Sequence, residues 1–297
     1  MFVWLNGTFV ERDEATVSVF DAGFQHGVGL FETMLASNGR VFRIEQHMAR
    51  LAESAAALRL TTRLRPVPLA EAVQLTCSKN GMQSARIRLT ITGGDLNMLQ
   101  RGGDAPQDPT IVVVAQPPTP YPDAFFESGV AVSIADARSN PLEPAAGHKT
   151  LNYWARIQAL QIAATRGASE ALWFTVSNHL ASGSVSNVFL VKDGELRTPF
   201  ARGEEVTGAL PSPVLPGITR AVVRELAKGL DIPCTEEMIG IEDLLMADEV
   251  FLTNSSWGVL PVVGVEKEKI GDGAVGAVTR RLRGAWLETV ETETSAG

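Results

Sequence analysis

From the N-terminus to about residue 40, apolar and polar positions trade places every few residues, which predicts short strands joined by tight turns. Phe2–Leu5 and Thr8–Val10 flank Asn6-Gly7, a dipeptide that accepts the positive φ angles of a two-residue hairpin. Thr16–Phe20 alternates next and leads into a glycine-dense stretch, Gly23, Gly27 and Gly29, ending in Leu30-Phe31-Glu32-Thr33. Between Ile44 and Leu60 the spacing becomes helical, with Met48, Leu51, Ala55 and Leu58 on one face. Arg86 to Ile91 alternates again, and Ile111–Ala115 is a continuous apolar run of the buried-strand type.

The pattern breaks at Pro117-Pro118-Thr119-Pro120-Tyr121-Pro122, a stiff connector that cannot join a sheet ladder. It predicts an N-terminal α/β domain over 1–116, a linker over 117–122 and a C-terminal domain over 123–297. Within the latter, Val130–Ile134, Ala171–Val176, Val188–Val191 and Glu249–Thr253 read as strands. Lys149 to Ala164 reads as a helix with the stripe Tyr153, Ile157, Leu160 and Ala164. Ile218, Val222 and Leu226 mark another helix, Val275 to Leu287 a last one, and Glu288 to Gly297 a frayed polar tail. Strands and helices mix without regular alternation, so the class is α+β.

Composition changes this picture little. The chain has 297 residues, 45% hydrophobic and 20% charged, which suits two globular domains. A net charge of −8 argues against nucleic acid and anionic membranes as partners, though not against a small anion held by local donors. The N-terminus lacks the basic start and long apolar stretch of a signal peptide, and no run reaches membrane-span length, so a cytoplasmic location is expected. Cys77 and Cys234 read as free thiols in a reducing compartment.

The candidate chemistry is sparse. His26, His47, His148 and His179 form no metal-type pair, so no metal centre is expected. Gly27-Val28-Gly29 is explained equally well by a tight turn. Lys79, Lys192, Lys228, Lys267 and Lys269 sit in turns, charged loops or polar faces. Lys149 stands apart, between Pro144-Ala145-Ala146-Gly147-His148 and an apolar helix, surroundings that depress an amine pKa and suit a nucleophile. Exposure at a helix start remains the alternative.

Gly147-His148-Lys149-Thr150-Leu151-Asn152-Tyr153 resembles the cofactor-lysine segment of class IV pyridoxal-phosphate (PLP) enzymes, which include branched-chain and D-amino-acid aminotransferases and 4-amino-4-deoxychorismate lyases. Phe20-Asp21-Ala22-Gly23-Phe24 with Gly29-Leu30-Phe31-Glu32-Thr33, then His47-Met48-Ala49-Arg50-Leu51, Ser186-Asn187-Val188-Phe189, Thr198-Pro199 and Leu215-Pro216-Gly217-Ile218-Thr219-Arg220 are similar to family segments, in family order. Each is weak alone; together they are specific.

The resemblance implies the two-domain D-amino-acid-aminotransferase-like fold (PLP fold type IV), with PLP attached to Lys149 as a Schiff base and a homodimeric assembly. It puts the cofactor phosphate at Gly217, Ile218 and Thr219, which open a helix whose free amides and dipole suit an anion. Arg50 becomes the charged partner of that phosphate and Ser255 a hydroxyl donor. Read locally, Arg50 is also a surface charge on an amphipathic helix and Ser255 a loop hydroxyl. Phe31, Gly93, Asn254 and Ser256 are implied at the substrate. Thr92-Gly93-Gly94-Asp95-Leu96-Asn97-Met98 is similar to the substrate-lining loop, although a plain glycine turn also fits. Trp154 and Trp257 suit a pocket wall or a core.

Three departures stand out. Ser182, in Leu180-Ala181-Ser182-Gly183-Ser184-Val185-Ser186-Asn187, occupies the place of the family glutamate that pairs with the pyridine nitrogen. A carboxylate keeps that nitrogen protonated and the ring a strong electron sink; a hydroxyl can only hydrogen-bond it. Val28 replaces a common aspartate, and Arg202-Gly203-Glu204-Glu205 lies in a lengthened stretch that could cover the site.

Three readings follow. The first is amino-group transfer between an amino acid and a 2-oxo acid, with Lys149 as general base and acid. The second is a lyase releasing 4-aminobenzoate and pyruvate from aminodeoxychorismate, favoured by Ser182 and by the segment around Asn254. The third is a PLP-binding member with impaired catalysis.

Overall fold

A computed structural model describes residues 1–95 and 109–295. The chain folds as two compact units: one of 1–119, 149–152 and 290–297, the other of 120–148 and 153–289.

In the first unit, β1 (Phe2–Leu5) and β2 (Thr8–Glu11) form the hairpin that Asn6-Gly7 predicts, with φ of 48° and 96° at the two turn residues. There follow α1 (Ala22–His26), β3 (Gly29–Ser37), β4 (Arg40–Val41), α2 (Ile44–Ala57), α3 (Pro66–Lys79), β5 (Ala85–Thr92) and β6 (Ile111–Gln116). The strands make one sheet in the order β2-β1-β6-β5-β3-β4. Ile87, Leu89 and Ile91 of β5 pack with Met48, Leu51 and Ala55 of α2, the two apolar faces read from periodicity. Thr16–Phe20 forms no strand.

The second unit contains α4 (Ala124–Glu127), β7 (Val130–Ser139), α5 (Trp154–Thr165), β8 (Glu170–Thr175), β9 (Leu180–Gly183), β10 (Asn187–Lys192), β11 (Glu195–Pro199), α6 (Ile218–Gly229), β12 (Cys234–Glu237), α7 (Ile241–Leu245), β13 (Glu249–Asn254), β14 (Gly258–Val265) and β15 (Glu268–Lys269). Its sheet runs β12-β11-β10-β13-β14-β7-β8-β9, with β15 on β14. β8 and β10 are buried almost throughout, as continuous apolar strands require. The last helix, α8 (Ala277–Ser295), closes the chain. No helix among the described residues is long and apolar enough to cross a membrane.

Two expectations need correction. The helix at Lys149 begins only at Trp154, because the preceding residues bridge to β3: Phe31 N donates to Lys149 O (3.0 Å) and Leu151 N to Gly29 O (2.9 Å). Backbone groups committed to β3 cannot also make helical i to i−4 bonds. The stripe shifts with it: Ala159 and Ala163 are the buried positions of α5, and Ile157 is exposed. The C-terminal tail is no frayed coil. It continues α8 to Ser295, where Glu293 binds Arg43 through two bonds (2.7 and 2.8 Å) and Asn38 donates to Glu291, Thr294 and Ser295.

Candidate active site

The pairing that displaces the helix fixes Lys149. Its backbone is part of the sheet edge at Leu30, where Leu30 and Thr150 form a bridge, and its Nζ lies 4.2 Å from the centroid of the Phe31 ring. An aromatic face attracts a cation without donating a proton to it. Arg88, next along the same sheet, stacks on that ring at 3.4 Å. Lys149, Phe31 and Arg88 are therefore neighbours, a grouping that the alternating pattern of β5 contains but does not announce.

Arg50 is no surface charge. Its side chain is 10% exposed and grips Glu32 through Nε (2.9 Å) and Nη2 (2.5 Å), while His47 Nδ1 contacts the same carboxylate at 2.7 Å. Burial works to raise the Glu32 pKa, but Arg50 and His47 overcome it and bring the carboxyl down to about 2. Burial holds His47 below the ordinary imidazole range, with Arg50 and Lys149 adding to the effect against the pull of Glu32. His47 is thus a neutral ring whose Nδ1–H donates to an ionised Glu32. The signal was present as helical spacing, since residues 47 and 50 are three apart on one face of α2.

In the second unit, Gly217 caps α6 in an extended conformation, and no side chain caps the helix among the described residues. Glycine is required there, because a Cβ would fall on the side-chain amide of Asn187. Asn187 in turn donates to Leu215 O (2.9 Å) and pairs in register with Thr253. The helix start and the turn over 254–256 therefore share one end of the sheet. Asn254 holds that turn: its Oδ1 accepts from Ser256 N (2.8 Å) and Trp257 N (3.0 Å), and its Nδ2 donates to Val185 O (3.2 Å). Ser255 and Ser256 are half-buried in the turn. Gly93 follows β5, its amide donating to Val28 O (3.0 Å); Leu96-Asn97-Met98 lie outside the described residues.

Ser182 is buried on β9, and its Oγ accepts from Arg156 Nη1 (2.9 Å), which also donates to Gly183 O (2.7 Å). The acid that serves this segment is Glu170, fully buried on β8 and absent from the sequence-derived candidates. Its Oε1 accepts from the amides of Ala171 (2.8 Å) and Ser184 (3.0 Å), and its Oε2 from Val185 N (3.1 Å) and Ser186 Oγ (3.0 Å). Burial pushes this carboxyl up, against those four donors. Glu170 is thus spent on the turn that follows Ser182.

The remaining candidates separate. Trp257 is 8% exposed and meets Tyr121 edge-on, a core role, whereas Trp154 is 77% exposed. Glu204, in the stretch read as a cover, binds Arg220 through both oxygens (2.8 and 2.7 Å). Arg202 beside it donates to Ala146 O (3.1 Å), close to Gly147, whose positive φ of 77° a side chain would strain.

The chain is similar to known proteins over nearly its whole length. The family model for amino-transferase class IV matches residues 29–265. The branched-chain-amino-acid aminotransferase of Escherichia coli (strain K12) is 32% identical over 308 residues, covering 100% of this chain and 96% of that one. The D-alanine aminotransferase of Staphylococcus haemolyticus is 30% identical, covering 99% of each. The solved Escherichia coli branched-chain enzyme superposes with a TM-score of 0.89 (30% identity, 99% of this chain, 95% of that one). The 4-amino-4-deoxychorismate lyase of Pseudomonas aeruginosa gives 0.81 (27% identity, 99% and 100%). Another branched-chain aminotransferase, solved with pyridoxamine 5'-phosphate, gives 0.86 (29% identity, 99% and 96%). The chain belongs to the class IV aminotransferase family.

Proposed function

We propose that this protein is a PLP-dependent enzyme that moves an amino group between an amino acid and a 2-oxo acid. The observation that carries the reading is the placing of the Lys149 amine over Phe31, its backbone fixed to β3. Taken unit by unit, the residues present suit the cofactor: an amine for its aldehyde in the first, and in the second a glycine cradle at an uncapped helix for its phosphate and a buried hydroxyl for its ring. When bound, PLP supplies an electron sink for the carbon next to the amino group.

The protein's own groups do the rest. The amides of Ile218 and Thr219, the dipole of α6 and the hydroxyl of Ser255 bind the phosphate, with Arg50 as its charged partner. Glu32 and His47 hold the plane of Arg50. Ser182 faces the ring nitrogen. Lys149 Nζ would take a proton from the substrate carbon and deliver it to the former aldehyde carbon of the cofactor, which keeps the amino group. Phe31, Gly93, Asn254 and Ser256 line the substrate, Asn254 by shaping its turn. A homodimer is the expected assembly. The expected location is the cytoplasm.

Ser182 favours a second reading, release of 4-aminobenzoate and pyruvate from aminodeoxychorismate. In an elimination the leaving group carries electrons away, so a weaker sink suffices.

Absorbance of the purified protein in the band of lysine-bound cofactor tests the first step, and Lys149→Ala should abolish that band. Addition of amino acids should then yield 2-oxo acids. If no amino acid yields one while a coupled assay detects 4-aminobenzoate, the lyase reading replaces the transferase.

A further inference from the structure

On the reading that Ser182 faces the cofactor ring, we propose that Arg156 and Ser182 form a two-residue donor relay that keeps the ring nitrogen unprotonated. The relay inverts the polarity that a carboxylate at position 182 would impose.

The donor inventory carries the argument. A guanidinium donates and never accepts, whereas a hydroxyl has one proton and two lone pairs. Arg156 Nη1 fills one lone pair of Ser182 Oγ at 2.9 Å, so the hydroxyl proton points away from the guanidinium. A hydroxyl polarised in this way is a better donor, and its natural partner is a ring nitrogen with a vacant lone pair.

Charge points the same way. Tyr153, Glu170 and Glu143 are the titratable groups that act on Arg156. Of these, Glu170 is the fully buried carboxylate, and both its oxygens are engaged by residues 171 and 184–186. The guanidinium already places one positive charge in this buried corner. A pyridinium would add a second positive charge one hydroxyl away from Arg156, in surroundings of low dielectric.

The relay is also rigid. Arg156 stacks on the Trp173 ring at 4.5 Å, and Trp173 is the register partner of Ser182 across β8 and β9. Trp173 Nε1 bonds Ser184 Oγ (2.9 Å), and Tyr153 Oη bonds Ser184 O (2.9 Å) one helical turn before Arg156. The start of α5 is thereby fastened to the end of β9 at two levels. Ser182 is legible in the sequence, but its partner is not, because Arg156 lies 26 residues before it.

The test is the 15N chemical shift of PLP labelled at its ring nitrogen, bound to the full-length holoenzyme at neutral pH. The wild type should show the shift of a neutral, hydrogen-bonded pyridine. Arg156→Gln should move it toward pyridinium, and the double variant Ser182→Glu with Arg156→Gln should complete the change. A pyridinium shift in the wild type overturns the relay while leaving the proposed function intact. So does a neutral shift that Arg156→Gln leaves unmoved. A wild type that takes up no PLP, or one whose ring signal is indifferent to Ser182→Ala and Ser182→Glu alike, overturns the placing of the ring at Ser182 and the relay with it.

Discussion

Replacing Glu32 by glutamine keeps the shape of the side chain and removes its charge, leaving the guanidinium of Arg50 without its buried partner. The wild-type carboxylate is 1% exposed and takes three charge-assisted contacts, one from His47 and two from Arg50. Its pKa falls from 4.5 to about 2. That difference corresponds to roughly 3 kcal/mol of folding free energy near neutrality. Removing one partner of a buried ion pair gives a similar figure, about 3–5 kcal/mol. Glu32→Gln should therefore cost about 3 kcal/mol at pH 7. Amide hydrogen exchange of β3 and α2 measures this as an opening free energy of the first unit itself. The sign with pH is fixed. A depressed carboxyl pKa contributes fully above the unfolded value of 4.5 and is lost as pH falls toward 2, so the gap between wild type and variant should close over that window. The double variant Glu32→Gln with Arg50→Met should lose less than the two single changes summed, because both charges then leave together. A cost below about 1 kcal/mol at pH 7, or a gap that persists in acid, would refute the reasoning.

Three further outcomes follow from the packing. Gly217→Ala should push the start of α6 off Asn187 and weaken PLP uptake at least tenfold, about 1.4 kcal/mol, in a fluorescence titration. Gly183→Ala should place a methyl against the Ser186 hydroxyl and the Glu170 carboxylate, lowering stability by about 1–3 kcal/mol in thermal unfolding. Arg43→Ala removes a pair that is partly open to water, so it should cost under about 1 kcal/mol but raise exchange at the end of α8, where its partner Glu293 sits.

What the sequence made legible was local. Asn6-Gly7 states its turn, the spacing of Met48, Leu51 and Ala55 states a helical face, and Pro216-Gly217 states where α6 begins. Lys149 and Ser182 were visible as residues through family likeness. Their surroundings were not. The helix at Lys149 starts late because of a bridge to residues more than a hundred positions earlier, which no local window contains. α8 outlasts its apolar stripe because Asn38 and Arg43 hold its end. Arg156 and Glu170 look like ordinary charges on a helix and a strand, and only the fold brings each to the segment around Ser182. Buried polar networks of this kind depend on partners distant in sequence, so periodicity is blind to them.

The anchoring of Lys149 also bears on how far its nitrogen can travel. A lysine in a frayed first turn could shift its root as the helix breathes. Here the root is tied to the neighbouring strand on both sides, by the carbonyl of Lys149 and the amide of Leu151. All travel of the amine must then come from rotation about its own side-chain bonds. It sweeps a fixed arc above the Phe31 ring, and a reacting carbon is served only where that arc passes.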